Sequence, residues 1–169
     1  MLAYEDTALP IRHGQTISQP TVVARCLEWL AVEPGMRVLD VGSGSGYTTA
    51  LLSHLVLDKS DLSKREGEVI GVEIIPELVA FGQENLAKLA PRNAHIERAG
   101  EDLGKPSDAP FDRILVSAAT NAVPPGLVRQ LKEGGRMVIP IRDAICVVDD
   151  GARPKMVCHE GYAFVPLIT

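Results

Sequence analysis

The residues with the plainest chemical use are three glycines, a serine and an acid. Val38-Leu39-Asp40-Val41 is a short apolar run, Gly42-Ser43-Gly44-Ser45-Gly46 a glycine-rich turn, and Tyr47 begins an apolar helical pattern. Strand, loop and helix in that order put the loop in the crevice beyond the strand's carboxyl end, where open α/β sheets bind ligands. Glycine lets the backbone turn sharply and come close to a ligand. The helix behind the loop offers unpaired N–H groups and partial positive charge, which suit a carboxylate or phosphate. One βα unit later, a second strand over 68–73 ends in Glu73. A carboxylate there can accept hydrogen bonds from both hydroxyls of a ribose. Its plainer use is to stabilise the N-terminus of the helix that follows. Ser18, two residues before Pro20, is an N-cap by spacing, with Gln19 as the other candidate.

The elements that must position these residues follow from periodicity. Residues 1–19 read as irregular, broken at Pro10 and Gly14. Val22, Val23, Cys26, Leu27 and Leu30 share one helical face, with Pro20 in the first turn. Strands are expected over 36–41, 68–73, 94–99, 111–117 and 136–141, alternating with helices over 47–56, from Pro76 through Leu89, and over 124–131. Gly134-Gly135 would end the last helix. Two further strands, 144–148 and about 155–165, flank the turn Asp149-Asp150-Gly151. The polar stretch 57–67 reads as a solvated loop. Regular β/α alternation followed by a hairpin predicts an α/β fold, a doubly wound and mostly parallel seven-stranded sheet with a C-terminal antiparallel hairpin.

Composition bounds the function. The chain has 169 residues, the size of one domain, with 46% hydrophobic residues and a net charge of −5. No basic tract stands out, which argues against a nucleic-acid footprint. No apolar run reaches membrane-span length, and the N-terminus lacks a signal-peptide pattern, so a cytoplasmic location is expected. Cys26, Cys146 and Cys158 form no C-x-x-C pair and read as buried small hydrophobes rather than a disulfide or zinc set. The four histidines lie far apart, and no metal site is expected.

Spacing sharpens the ligand. A dinucleotide loop wants glycine at i, i+2 and i+5. Here the glycines are Gly42, Gly44 and Gly46, at i, i+2 and i+4, and Tyr47 stands at i+5. This G-x-G-x-G resembles motif I of S-adenosylmethionine-dependent methyltransferases and disfavours a dehydrogenase. A narrower resemblance covers the chain from about residue 3. Tyr4-Glu5-Asp6, Leu9-Pro10-Ile11 and Gly14-Gln15-Thr16-Ile17-Ser18-Gln19-Pro20 resemble the signature segment of protein-L-isoaspartate O-methyltransferases. Ala109-Pro110-Phe111-Asp112, Val116-Ser117-Ala118-Ala119, Val123-Pro124-Pro125, Gly134 to Pro140 and the ending Phe164-Val165-Pro166-Leu167-Ile168 fit the same family.

The resemblance implies a Rossmann-like methyltransferase domain over 1–169. Residues 1–19 would form the substrate side, 36–141 the cofactor-binding core and 144–165 the hairpin. It implies S-adenosylmethionine as cofactor and, as substrate, a protein or peptide containing L-isoaspartate, whose free α-carboxylate is methylated. The ester then closes to a succinimide that reopens partly to normal aspartate, which is repair. Such a carboxylate is already ionised at pH 7, so no general base is required. By the same resemblance Ser18 is the active-site serine. Gly42, Ser43, Gly44 and Gly46 would meet the methionine end of the cofactor, with Tyr47 beside them. Glu73 would hold the ribose, followed by Ile74, while Thr16 and Ile17 close over the cofactor. Asp40 would order the loop from behind.

Two departures are visible. The family's third strand usually ends Gly-Asp-Gly, whereas this chain reads Gly100-Glu101-Asp102-Leu103-Gly104, so the adenine-side acid is Glu101 or Asp102. Relatives usually carry a helical segment before Tyr-Glu-Asp, and a second copy or partner chain could stand in its place. The competing readings are a methyltransferase of the same scaffold acting on a small molecule, another peptide or RNA, and a non-catalytic S-adenosylmethionine-binding protein.

Overall fold

A computed structural model describes residues 5–58, 67–150 and 155–168. The charged stretch 57–67 and the turn at Gly151 fall largely outside these residues. Seven strands form one sheet: β3 (Arg37–Val41), β4 (Glu68–Glu73), β5 (Ala94–Arg98), β6 (Phe111–Val116), β7 (Leu131–Ile141), β8 (Ala144–Asp149) and β9 (Lys155–Glu160). Their order is β5-β4-β3-β6-β7-β8-β9. The first five are parallel, and β8 and β9 join antiparallel. Adjacent β3 and β6 connect to helices on either side in the chain, so the order reverses there and opens a crevice at their carboxyl ends.

Period-two alternation sorts the strand residues. Val38, Val69, Leu115, Val138 and Ile145 pack with Cys26 and Leu30 of α1 (Pro20–Leu30) and with Leu52 of α2 (Tyr47–Leu55). Leu39, Ile70, Ile114, Met137 and Ile139 form the other cluster, with Leu127 of the short α4 (Pro125–Val128). Helix α3 (Pro76–Leu89) buries Val79 and Leu86 against Ile96 of β5 and Ala50 of α2. Each such aliphatic side chain contributes ~1.5–3 kcal/mol on burial. No helix among the described residues is long and apolar enough to cross a membrane.

Several expectations need correction. Residues 1–19 are not wholly irregular: β1 (Leu9–Pro10) and β2 (Thr16–Ile17) pair antiparallel as a separate hairpin. Gly134-Gly135 does not end a helix. Strand β7 already begins at Leu131, which pairs with Phe111, and the register shift between Phe111 and Arg113 accommodates the glycines as an irregularity within the strand. The last strand stops at Glu160, and the chain from Gly161 leaves the sheet edge. Cys26 is buried, and burial pushes its thiol up to about 12. Cys146 and Cys158, by contrast, stand opposite one another on β8 and β9 and are joined as a disulfide. Twelve residues of sequence separate them, so no short motif announced the pair. A reducing cytoplasm keeps such pairs as thiols, so this disulfide and the cytoplasmic expectation pull in opposite directions.

Candidate active site

The glycine loop leaves β3 with Gly42, Gly44 and Gly46 at φ of 81°, 49° and 81°, values that side chains with a Cβ rarely adopt. Its amides are tied to the neighbouring strand. Gly42 and Ser43 N–H donate to the Val72 carbonyl at 2.9 and 3.1 Å. Gly44 N–H donates to Glu73 Oε2 at 3.0 Å, and Ile75 N–H donates to Glu73 Oε1 at the same distance. Glu73 is only 6% exposed. Each of its oxygens takes one N–H, which leaves lone pairs for further donors. The expected helix-stabilising use of Glu73 is therefore present in the Ile75 contact, and it coexists with a face on the pocket.

Asp40 is fully buried behind the loop. Thr48 and Thr49 hydroxyls donate to its Oδ2 at 2.7 Å each, and Ser117 Oγ lies 3.5 Å from Oδ1. Burial pushes this carboxyl above the usual carboxylate range, opposed by the threonine hydroxyls. Asp40 thus fastens the start of α2 to β3 and does not line the pocket.

One pocket gathers most of the sequence-predicted residues. Thr16, Ile17, Ser18, Gly42, Ser43, Gly44, Tyr47, Glu73, Ile74, Glu101 and Asp102 all line it. Gly46 does not. A Cβ there would come within 2.9 Å of the Gly82 carbonyl oxygen, so Gly46 is glycine because α3 packs against it. Glu101 and Asp102 are both exposed on the wall, and both remain candidates for the adenine side. Ser18 is not an N-cap. Gln19 holds the cap position of α1 without a side-chain cap bond. Asp6 caps the helix instead, its Oδ1 accepting Thr21 N–H at 2.9 Å while Oδ2 accepts the Thr21 hydroxyl and Gln19 Nε2. Those contacts hold the Asp6 carboxyl below its usual range. Ser18 instead lines the pocket.

Sequence reasoning does not place Ile11, Gln15, Ser117 or the segment 165–168 on the wall. Ala119 N–H donates to Val165 O and Leu167 N–H to Ala119 O, both at 2.8 Å, which pins the C-terminal segment beside the end of β6. The apolar ending Val165-Pro166-Leu167-Ile168 was the available signal.

A nucleoside cofactor with a charged amino-acid tail fits this donor set. Ser43 is 4% exposed and its Oγ has no hydrogen-bond partner among the described residues. A buried hydroxyl without a partner costs stability, so a group supplied to the loop would satisfy it.

Comparisons with known proteins agree with this geometry. The family model for protein-L-isoaspartate(D-aspartate) O-methyltransferase (PCMT) matches residues 1–169. The protein-L-isoaspartate O-methyltransferase of Hyperthermus butylicus is 42% identical over 99% of this chain and 72% of its own length. That of Methanopyrus kandleri is 44% identical over 98% and 74%. Among solved structures, a Plasmodium falciparum chain named for the same activity, in complex with S-adenosyl-L-homocysteine, has a TM-score of 0.85 and 31% identity, covering 98% of this chain and 81% of that one. A further protein-L-isoaspartate O-methyltransferase structure superposes with the same TM-score at 28% identity, and this chain spans 54% of its length. With the glycine loop, Glu73 and Ser18 on one pocket and the family match running the full length, the chain belongs to the protein-L-isoaspartate O-methyltransferase family.

Proposed function

We propose that this chain binds S-adenosylmethionine between the glycine loop and the β1–β2 hairpin and methylates the free carboxylate of L-isoaspartyl residues in proteins or peptides. The observation that carries the reading is that Ser18, the glycine loop and Glu73 share one pocket. Bound there, the cofactor supplies an electrophilic methyl group on a sulfonium whose departure leaves a neutral thioether.

The chain's own residues do the rest. Glu73 keeps lone pairs for the ribose hydroxyls while its two N–H contacts fix its orientation. Ser43 Oγ, buried and without a partner among the described residues, serves the amino-acid end. Glu101 or Asp102 faces the base. Ser18 donates its hydroxyl to the substrate carboxylate and orients one oxygen toward the reacting centre. No residue need remove a proton, because the nucleophile is already an anion at pH 7. Catalysis is alignment and exclusion of water, and the hairpin residues Ile11 and Ile17 supply apolar cover.

The test is methyl transfer from labelled S-adenosylmethionine to an isoaspartyl peptide, followed by mild base. A carboxyl ester releases its label in base, whereas N-methylation does not. Stable label, or no label on a protein shown to bind S-adenosylhomocysteine, would redirect the reading to another substrate.

A further inference from the structure

The hairpin that covers the pocket has no place in the seven-stranded sheet: among the described residues, β1 and β2 pair only with each other. Yet it supplies Ile11, Gln15, Thr16 and Ile17 to the wall and leads directly into Ser18. At its base, Asp6 ties the incoming chain to Thr21 and Gln19 at the start of α1. At its tip, His13 and Gly14 reverse the chain with φ of 60° and 69°. Beside that tip Arg12 lies over the ring of Phe81 on α3, with Cζ 5.7 Å from the ring centroid.

The layers between these anchors matter. A Cβ built on Gly44 would lie 3.6 Å from Ile11 Cδ1, so the hairpin rests on the glycine loop. A Cβ built on Gly82 would come within 2.7 Å of the Gly44 carbonyl oxygen, so α3 packs on the same loop. Phe81 is the residue next to Gly82. The Arg12–Phe81 contact therefore joins the hairpin and α3, both of which pack on the glycine loop.

We propose that Arg12 and Phe81 are positioning residues: their cation–π contact latches the hairpin over the glycine loop and sets how long the cofactor stays bound. The inference rests on the cofactor reading above. A ligand in this pocket is covered on one side by Ile11 and Ile17 of the hairpin, and lifting the hairpin breaks the Arg12–Phe81 contact.

The test is displacement of S-adenosylhomocysteine followed by stopped flow, together with amide exchange on the unliganded protein. Arg12→Met keeps the apolar stem and removes the charge. Arg12→Lys restores a cation. Phe81→Leu keeps apolar bulk on a half-buried position and removes the ring face. An exposed cation–π contact of ordinary strength predicts release ~2- to 5-fold faster for Arg12→Met and for Phe81→Leu. The double variant should release no faster than either single one, and Arg12→Lys should stay close to wild type. The Ile11 amide, which donates to the Gln15 carbonyl at 2.9 Å, should exchange faster in Arg12→Met while amides of β3 and β6 do not change. A purely structural role would move the strand amides too and would show no rescue by lysine. If wild type binds and every variant releases at the wild-type rate, or Arg12→Lys releases as fast as Arg12→Met, the latch is overturned while the cofactor reading stands. If wild type does not bind S-adenosylhomocysteine, both fall together.

Discussion

The Gly44 amide donates to the Glu73 carboxylate across 3.0 Å, so the acid that ends β4 also holds the middle of the glycine loop. The two sequence signals, a glycine spacing and an acid one βα unit later, are thus one physical object. Glu73→Gln keeps the size but sets its amide NH2, a donor, against one of the two N–H donors or the ribose. S-adenosylhomocysteine binding by calorimetry should weaken by about 1–3 kcal/mol, the cost of unpaired polar groups at a buried site. Unchanged affinity would remove Glu73 from the ribose position.

Gly46 separates packing from binding. Its φ of 81° and the 2.9 Å approach of a Cβ to the Gly82 carbonyl both oppose a side chain. Gly46→Ala should therefore lower the thermal midpoint. A penalty of about 1–3 kcal/mol for a strained backbone corresponds to roughly 2–10 °C for a chain of this size. The drop should appear in calorimetry without any ligand. A loss of affinity with an unchanged midpoint would place Gly46 on the pocket after all.

Asp40 gives stability a pH dependence with a definite sign. Its carboxyl is raised by burial above the ordinary 3.8. In the unfolded chain it ionises near that ordinary value, while in the folded chain it keeps its proton to higher pH. The stability it contributes is full below the unfolded value and falls as pH rises through the folded one. Asp40→Asn can still accept the Thr48 and Thr49 hydroxyls and carries no charge. Thermal midpoints measured from pH 4 upward should show wild type losing stability relative to Asp40→Asn. Parallel curves would mean that the carboxylate is compensated throughout.

The Cys146–Cys158 bond staples the edge strand β9 to β8, and β9 leads into the segment 165–168 on the pocket wall. His159 of β9 also stacks on Trp29 of α1, with ring centroids 4.1 Å apart. Reduction should add two hydrogens to the intact mass and destabilise the fold by about 3 kcal/mol, the scale for a short closed loop. The single tryptophan makes this visible as a fluorescence change. An unreduced mass already carrying both hydrogens would contradict the pairing.

Much of the site was legible because its signals are local. The strand 68–73 ends where its apolar run meets Glu73, and α2 starts where the glycines stop. What escaped the sequence was what depends on distant chain segments. Ser18 has the composition of an N-cap, but Asp6, fifteen residues before Thr21, reaches the helix first. Gly134-Gly135 looks like a helix stop because nothing local shows that Leu131 pairs with Phe111. Cys146 and Cys158 become neighbours only through the β8–β9 register. Gly46 carries the same motif letter as Gly44, yet its reason lies in Gly82 of α3.

The most direct measurement compares two peptides of identical sequence, one with L-isoaspartate and one with normal aspartate, as methyl acceptors from labelled S-adenosylmethionine. Ser18→Ala runs beside wild type. Base-labile label is expected on the isoaspartyl peptide alone. Ser18→Ala should lose about 100-fold or more in turnover, the scale for removing one donor at a reacting group, with S-adenosylhomocysteine affinity preserved. Equal labelling of both peptides, or full activity in Ser18→Ala, would contradict the proposed function.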